Sequence, residues 1–402
     1  MKYDFETILE REGHDALAVD GLGTGFAPDP PEQGFSVIPM WVADMNFPVL
    51  PAIQEHVIHR MQHPAFGYFM PSEEYYASIS NWQRSRNGVE GLEEKQIGYE
   101  NGVLGGVMSA LAALCVPGEK ILVHKPAYIG FTLCLKNAGY DLVPSELKRD
   151  DDGTWRMDLE DMEQKFREGN IHTMIFCSPH NPTGRVWTAE EMEEMLQLCK
   201  KYDVWVISDE IWSDLILTHS PVKHVPLQSV NADGRERTIA LYAPSKTFNL
   251  AGLVGSYHII YNRRLKVLTD KAGSLSHYNN MNVLSMHALI GAYSDEGQIW
   301  VDELCGVLSE NVRYAVARIR KEWDGIDVAM PEGTYMLFLD CEAWCTAHHV
   351  PVSDLLKAGW RIGVAWQDGR TFGGSYTIRM NLALPETLLK EAFDRLGRYV
   401  FS

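Results

Sequence analysis

The chain has 402 residues and a mass of 45.4 kDa, with 46% hydrophobic and 22% charged residues, a profile that excludes intrinsic disorder and allows roughly two to three domain-sized units. Lys and Arg number 36 against 54 Asp and Glu, and the resulting net charge of −18 repels phosphate backbones and anionic lipid, so neither nucleic acid nor a membrane is an expected partner. Seven scattered cysteines, several inside apolar runs, and an acidic opening segment (residues 1–6) where a secretory leader needs a basic start and an apolar stretch point to a reduced, cytoplasmic protein.

In chain order, the first 50 residues carry Gly21, Gly23, Gly25 and a proline-rich stretch at 27–31, the texture of an arm or a substrate-proximal loop. Short β-rich apolar runs then recur at 120–124, 172–177, 204–208, 238–242 and 256–261, which reads as buried strands of a parallel sheet. Between two of them, residues 188–201 open on Thr188 with Glu191 three positions later and close on Lys200 and Lys201, the pattern of a capped crossover helix. Beyond about residue 285 the texture changes to a long helical pattern at 298–321, short strands at 334–339 and 376–380, and a closing helix from Pro385. The expected fold class is α/β, a large domain with helices on both faces of its sheet plus a smaller α+β domain. Residues 1–50 would form the arm and part of the small domain, 51–290 the large domain and 291–402 the rest of the small domain.

Ligands in such folds sit at the carboxyl ends of the strands. The sequence has no dinucleotide-binding glycine fingerprint, phosphate-binding lysine loop, zinc-protease helix or serine-hydrolase elbow. Cys341, Cys345, His348 and His349 lack paired metal-ligand spacing, so no metal is expected. Three strand ends carry more. Asn181 follows a buried run in a turn set by two prolines and a glycine, and its amide can donate to a ligand oxygen. Asp209 ends an apolar strand, where an ionised carboxylate needs a cationic partner such as a protonated ring nitrogen. Lys246 follows another buried strand among apolar and hydroxyl neighbours, where burial lowers an amine's pKa toward nucleophilic use. Singly, these fit a turn former, a helix cap and a surface lysine equally well.

Together, Asn-Pro-Thr-Gly184, Ser-Asp-Glu-Ile211 and Ser-Lys-Thr-Phe-Asn249 resemble the active-site series of fold-type I pyridoxal 5′-phosphate (PLP) enzymes of the aminotransferase class I/II superfamily. The fuller stretches, with Ala43-Asp-Met-Asn-Phe-Pro48, Phe66-Gly-Tyr68, Lys125-Pro-Ala-Tyr128 and Tyr376-Thr-Ile-Arg379, are most similar to MalY/PatB-type cystathionine β-lyases. The resemblance implies a mostly parallel seven-stranded sheet in the large domain. It implies that Lys246 carries PLP and then acts as general base at the substrate Cα. Asp209 would pair with the pyridine nitrogen, Asn181 would bond the ring's 3′-oxygen, and Tyr128 would stack on the ring. The backbone N–H groups of Val103 and Leu104, Ser245 and, from a neighbouring subunit of a homodimer, Tyr68 would meet the phosphate. Trp212 would lie beside the 3′-oxygen, and Arg379 would take the substrate α-carboxylate.

Several positions depart from the pattern: Trp212 stands where relatives carry Tyr or His, Ala243 and Val254 where aminotransferases often carry a phosphate-binding Ser and Arg, and Asn46 where MalY/PatB-type sequences tend to carry Asp. The activity the resemblance implies is a PLP-dependent carbon–sulfur β-lyase that cleaves L-cystathionine or an S-substituted cysteine to a thiol, pyruvate and ammonia. A class I/II aminotransferase is the rival, and a PLP-binding regulatory protein with residual lyase activity a further alternative.

Overall fold

The computed structural model describes residues 1–275 and 279–402. Its larger sheet has seven strands, in the order Ile97–Glu100, Ser256–Ile259, Thr238–Tyr242, Trp205–Asp209, Thr173–Cys177, Lys120–Lys125 and Asp141–Glu146. The last five run parallel to one another, while Ser256–Ile259 is antiparallel to both of its neighbours. The sheet is mostly parallel, as expected, but the 256–261 run departs from its reading as one of the parallel strands for a physical reason. A parallel return needs a crossover of a dozen or more residues, usually a helix, and residues 243–255 hold only the short turns Pro244–Thr247 and Ala251–Leu253.

The central strands are buried on both faces, and their side chains divide by the period of two. Ile175, Ile207, Ile239 and Leu241 pack with Val107 and Leu111 of the helix Val103–Leu114. Met174, Phe176 and Val206 pack with Met192, Met195 and Leu196 of the helix Ala189–Lys201. The capping box at the start of that second helix forms as expected: Thr188 Oγ1 accepts from Glu191 N at 3.2 Å, and Thr188 N donates to Glu191 Oε2 at 2.8 Å.

A second sheet of five strands is built from Asp327–Val328, Met336–Asp340, Thr377–Asn381, Val364–Asp368 and Ile38–Met40. The last of these pairs in parallel with Val364–Asp368, a partner strand more than 300 residues away in the chain. Ile38, Met40 and Trp41 are buried, and the arm texture of the first 50 residues therefore ends at a core strand. The long helix Asp295–Glu322 and the closing helix Glu386–Tyr399, opened by Pro385, cover the sheet with one apolar stripe each. Among the described residues no helix is long and apolar enough to cross a membrane.

Candidate active site

Asp209 ends its strand in register with Cys177 on one side and Leu241 on the other, and the chain turns directly beyond those neighbours to place Asn181 and Lys246. These three residues line one cleft of about 200 Å³ together with Val103, Leu104, Tyr128, Trp212 and Ser245. The structure thus brings together eight of the residues singled out from sequence. Arg379 reaches the same place from the smaller sheet by a hydrogen bond to Asn181, whereas Tyr68 is fully exposed and lies outside the cleft.

Alternation along the strand gives two adjacent acids different fates. Glu210 faces inward and is saturated: it accepts from Ser208 Oγ, Leu227 N and Tyr242 Oη at 2.8–3.0 Å and meets His224 Nε2 at 3.1 Å. Asp209 faces the cleft with one backbone donor, Ile211 N at 3.1 Å. Burial pushes its carboxyl up to about 7, with Ile211 N–H and the charge of Lys246 opposing the shift. A carboxyl so placed is completed by a cation.

Lys246 Nζ donates to Ala43 O at 2.7 Å and stands 5.8 Å from the Trp212 ring centroid. Burial lowers its amine to about 8, Arg379 adds to the shift, and Asp44 and Asp209 oppose it. Arg379 lies on the strand Thr377–Asn381, its guanidinium 4.5 Å from the Phe372 ring centroid. Its Nη1 donates to Asn181 Oδ1 at 3.1 Å and its Nη2 to Trp41 O at 3.0 Å, while Nε is buried with no acceptor among the described residues. Desolvation pulls it down to about 10, still charged at neutral pH. Because a guanidinium only donates, its bond to Asn181 fixes that amide with the carbonyl toward Arg379 and leaves the NH2 group as the donor for a ligand oxygen.

Two glycines shape the other wall. A Cβ on Gly130 would come within 2.4 Å of the Tyr128 ring, so the glycine lets that ring fold back over its own helix start. Gly102, at φ 80°, makes the turn into the helix Val103–Leu114, whose first N–H groups belong to Val103 and Leu104. That turn is braced from behind: Asn101 N donates to Asn279 Oδ1 at 2.7 Å, and Asn279 Nδ2 donates to Tyr99 O at 3.0 Å and Glu100 Oε2 at 3.1 Å. A helix N-terminus of this kind suits an anion.

Val254 lines the cleft at φ 47°, a left-handed conformation that a β-branched residue adopts only under strain. It is held there partly by Tyr99 Oη, which donates to Val254 O at 3.0 Å. Val254→Gly is expected to raise the stability of the cofactor-free protein by about 0.5–1 kcal/mol, the strain released less the extra chain entropy of glycine. Urea unfolding of the two proteins checks it, and a loss of stability would mean that the valine side chain's packing outweighs its backbone strain.

Sequence reasoning did not find the Ala43 carbonyl, Cys177 or Arg11. The first is a backbone atom and the second reads as core. Arg11 sits in an arm whose partners are remote in sequence: its Nη2 bonds Asp44 Oδ2 and its Nη1 bonds Asn46 Oδ1, each at 2.6 Å. Asn46, which stands where MalY/PatB-type sequences tend to carry Asp, is buried and accepts from Arg11.

Comparison with known proteins gives this geometry its relatives. Residues 41–396 match the model of the family described as aminotransferase class I and II. Cystathionine beta-lyase PatB of Bacillus subtilis (strain 168) is 30% identical over 98% of each chain. A PLP-bound Clostridium difficile 630 protein provisionally described as an aminotransferase superposes with a TM-score of 0.89 at 32% identity, over 99% of this chain and 100% of that one. The PLP-bound C-S lyase of Staphylococcus hominis superposes with a TM-score of 0.87 at 27% identity over 98% of both. The chain belongs to the aminotransferase class I and II family.

Proposed function

We propose that the chain is a PLP-dependent carbon–sulfur β-lyase that converts L-cystathionine, or another S-substituted cysteine, and water into a thiol, pyruvate and ammonia. The observation that carries the reading is a single cleft holding a desolvated amine, a carboxyl with no cationic partner in contact among the described residues and an open helix N-terminus, with a half-satisfied buried arginine bonded to Asn181 of its lining. Each matches one part of a phosphorylated pyridine aldehyde and its amino-acid substrate. The lyase names among the relatives, PatB and the Staphylococcus hominis enzyme, favour elimination over other outcomes.

When bound, PLP supplies the electron sink that makes a carbanion at the substrate Cα accessible. Lys246 Nζ, neutral in a substantial fraction near pH 8, takes the proton from Cα. Asp209 holds a proton on the ring nitrogen by its charge, and the Asn181 NH2 donates to the 3′-oxygen. Tyr128 would lie against the ring, and Val103 and Leu104 N–H with the Ser245 hydroxyl would hold the phosphate, all four lining the cleft. Trp212, which lines the cleft, would wall it beside the 3′-oxygen. Arg379 pairs with the substrate α-carboxylate, which answers its unmet Nε–H. Residues 51–290 form the cofactor domain, and the exposed Phe66, Tyr68 and Met70 meet a second subunit, with Tyr68 reaching that subunit's phosphate.

The test is pyruvate release from L-cystathionine by the holoenzyme with no 2-oxo acid present. Pyruvate formation, together with a visible cofactor band that Lys246→Ala abolishes, supports the lyase. Turnover that begins only when a 2-oxo acid is added would assign the chain instead to transamination, the description given to the Clostridium difficile relative. Arg379→Lys is expected to raise KM for the amino acid at least tenfold, because an ammonium cannot reproduce the bidentate fork. Steady-state kinetics checks it, and an unchanged KM would remove Arg379 from substrate binding.

A further inference from the structure

Glu100 is fully buried just before the turn that opens the helix Val103–Leu114. Its Oε2 accepts from Ser109 Oγ at 2.9 Å and Asn279 Nδ2 at 3.1 Å, and its Oε1 meets His258 Nδ1 at 2.7 Å. A Cβ on Gly106 would come within 3.1 Å of Glu100 Cγ, so the acid lies along the flank of that helix's first turns. A carboxylate two residues before Gly102 has the wrong sign for an anion-binding turn, because buried like charges are weakly screened. The phosphate end of the cleft has no cation of its own to offset it. Among the described residues the one lysine or arginine in the cleft's lining is Lys246, and Val254 stands where aminotransferases often carry an Arg.

His258 supplies a positive charge at this place. Its ring is buried on the strand Ser256–Ile259 in register with Gly98, where a Cβ would come within 2.2 Å of the ring. The imidazole therefore lies across the neighbouring strand with a carboxylate at each nitrogen: Glu100 at Nδ1, and Asp270 Oδ1 at ion-pair distance, 3.3 Å, from Nε2. A carboxylate accepts and does not donate, so the form of the ring that matches both neighbours is the imidazolium, with an N–H on each side. Burial works against that proton, but Asp270 and Glu100 outweigh it and hold the ring above its ordinary 6.5. Asp270 is also held by Lys266 Nζ at 2.6 Å, so two carboxylates stand against two cations.

We propose that His258 is a positioning residue for the cofactor phosphate: its imidazolium neutralises Glu100 and lets that acid brace the Gly102 turn without repelling a phosphate at the Val103 and Leu104 N–H groups. The brace runs from Glu100 Oε2 to Asn279 Nδ2, and from Asn279 Oδ1 to Asn101 N beside the turn. The acid gives the turn its shape, and the histidine cancels the acid's charge.

The inference rests on the reading of this helix start as the phosphate site, and its test separates the two. The cofactor-free protein is titrated at pH 7 with PLP and with pyridoxal, which lacks the phosphate, and the Lys246-dependent visible band gives a dissociation constant for each. Their ratio isolates the phosphate. His258→Gln, which keeps a donor for Glu100 and removes the charge, is expected to lower the preference for PLP about tenfold or more while pyridoxal binding stays near the parent's. Removing the acid as well should undo the loss: His258→Gln with Glu100→Gln is expected to return the ratio to within about threefold of the parent, and Glu100→Gln alone to leave it no lower than the parent's. A ratio unchanged by His258→Gln overturns the proposal, as does loss of pyridoxal binding together with PLP. So does a double variant no better than the single one, the result expected if Glu100 and His258 serve only to hold the strand ends together. If the parent binds both ligands equally, the phosphate does not sit at this helix start and the proposal falls with that reading, while Lys246 keeps its place. If the parent gives no band with either, the reading of the cleft as a PLP site fails first.

Discussion

Lys246→Ala is expected to reduce the exchange of the Cα hydrogen of L-alanine with deuterated water by at least about 10³-fold, the range in which a positioned general base acts. L-Alanine has no group to eliminate, so the exchange, followed by proton NMR, isolates the one step proposed for the Lys246 amine, removal of the Cα proton. Tyr128→Phe, which keeps the ring, should preserve most of it. Exchange that survives Lys246→Ala would move the base to another residue. The same substitution has an opposite effect on the fold. An amine lowered to about 8 is protonated more readily in the unfolded chain, where its ordinary value of 10.5 applies. The cost to the folded state is complete below pH 8 and fades as the pH rises toward 10.5. Cofactor-free Lys246→Ala should therefore be more stable than the parent at pH 7, by up to on the order of 3 kcal/mol before the lost bond to Ala43 O is counted, with the margin closing above pH 10.

The residues legible in the sequence are those whose chemistry and position are both local. Asp209, Asn181 and Lys246 each follow an apolar strand within a few residues, so the strand pattern placed them at one edge of a sheet before any contact was known. Thr188 and Glu191 declared their helix start in the same way. What escaped has a common cause. The direction of Ser256–Ile259 leaves no trace in its composition, because a buried strand looks alike whichever way it runs. Ile38–Met40 is too short for a period to show, and its partner lies over 300 residues away. The Ala43 carbonyl and the Arg11 clamp arise from chain segments that meet only in the folded state, and a backbone oxygen has no residue type to betray it. Tyr68 is the converse case. Motif resemblance singled it out, and it stands exposed, away from the cleft of this chain.

Asp209→Asn should move stability and function in opposite directions, which makes it the sharpest probe of the site. In the cofactor-free protein the buried carboxyl titrates near 7 against an ordinary 3.8, so folding favours its protonated form. That contribution is fully present below about pH 4 and is lost as the pH rises through 7. Above it the fold must bury an ionised carboxylate, at a cost on the order of 4 kcal/mol for a shift of this size. Asparagine, neutral and of nearly the same shape, escapes the cost. Cofactor-free Asp209→Asn is therefore expected to unfold at higher urea than the parent at pH 8, with the two curves converging near pH 4. Adding PLP should reverse the order if, as proposed, the cation that offsets the carboxylate is the ring nitrogen, because only the parent can then hold it protonated. The variant should bind PLP more weakly and lose about 10²–10³-fold in kcat, the scale of removing one preorganised charge partner from a water-excluded site. If the cofactor-free proteins unfold alike at pH 8, Asp209 is hydrated and its raised pKa has no energetic consequence. If the variant is less stable with and without PLP, the carboxylate is a strut of the strand end, and its place opposite the ring nitrogen would have to be given up.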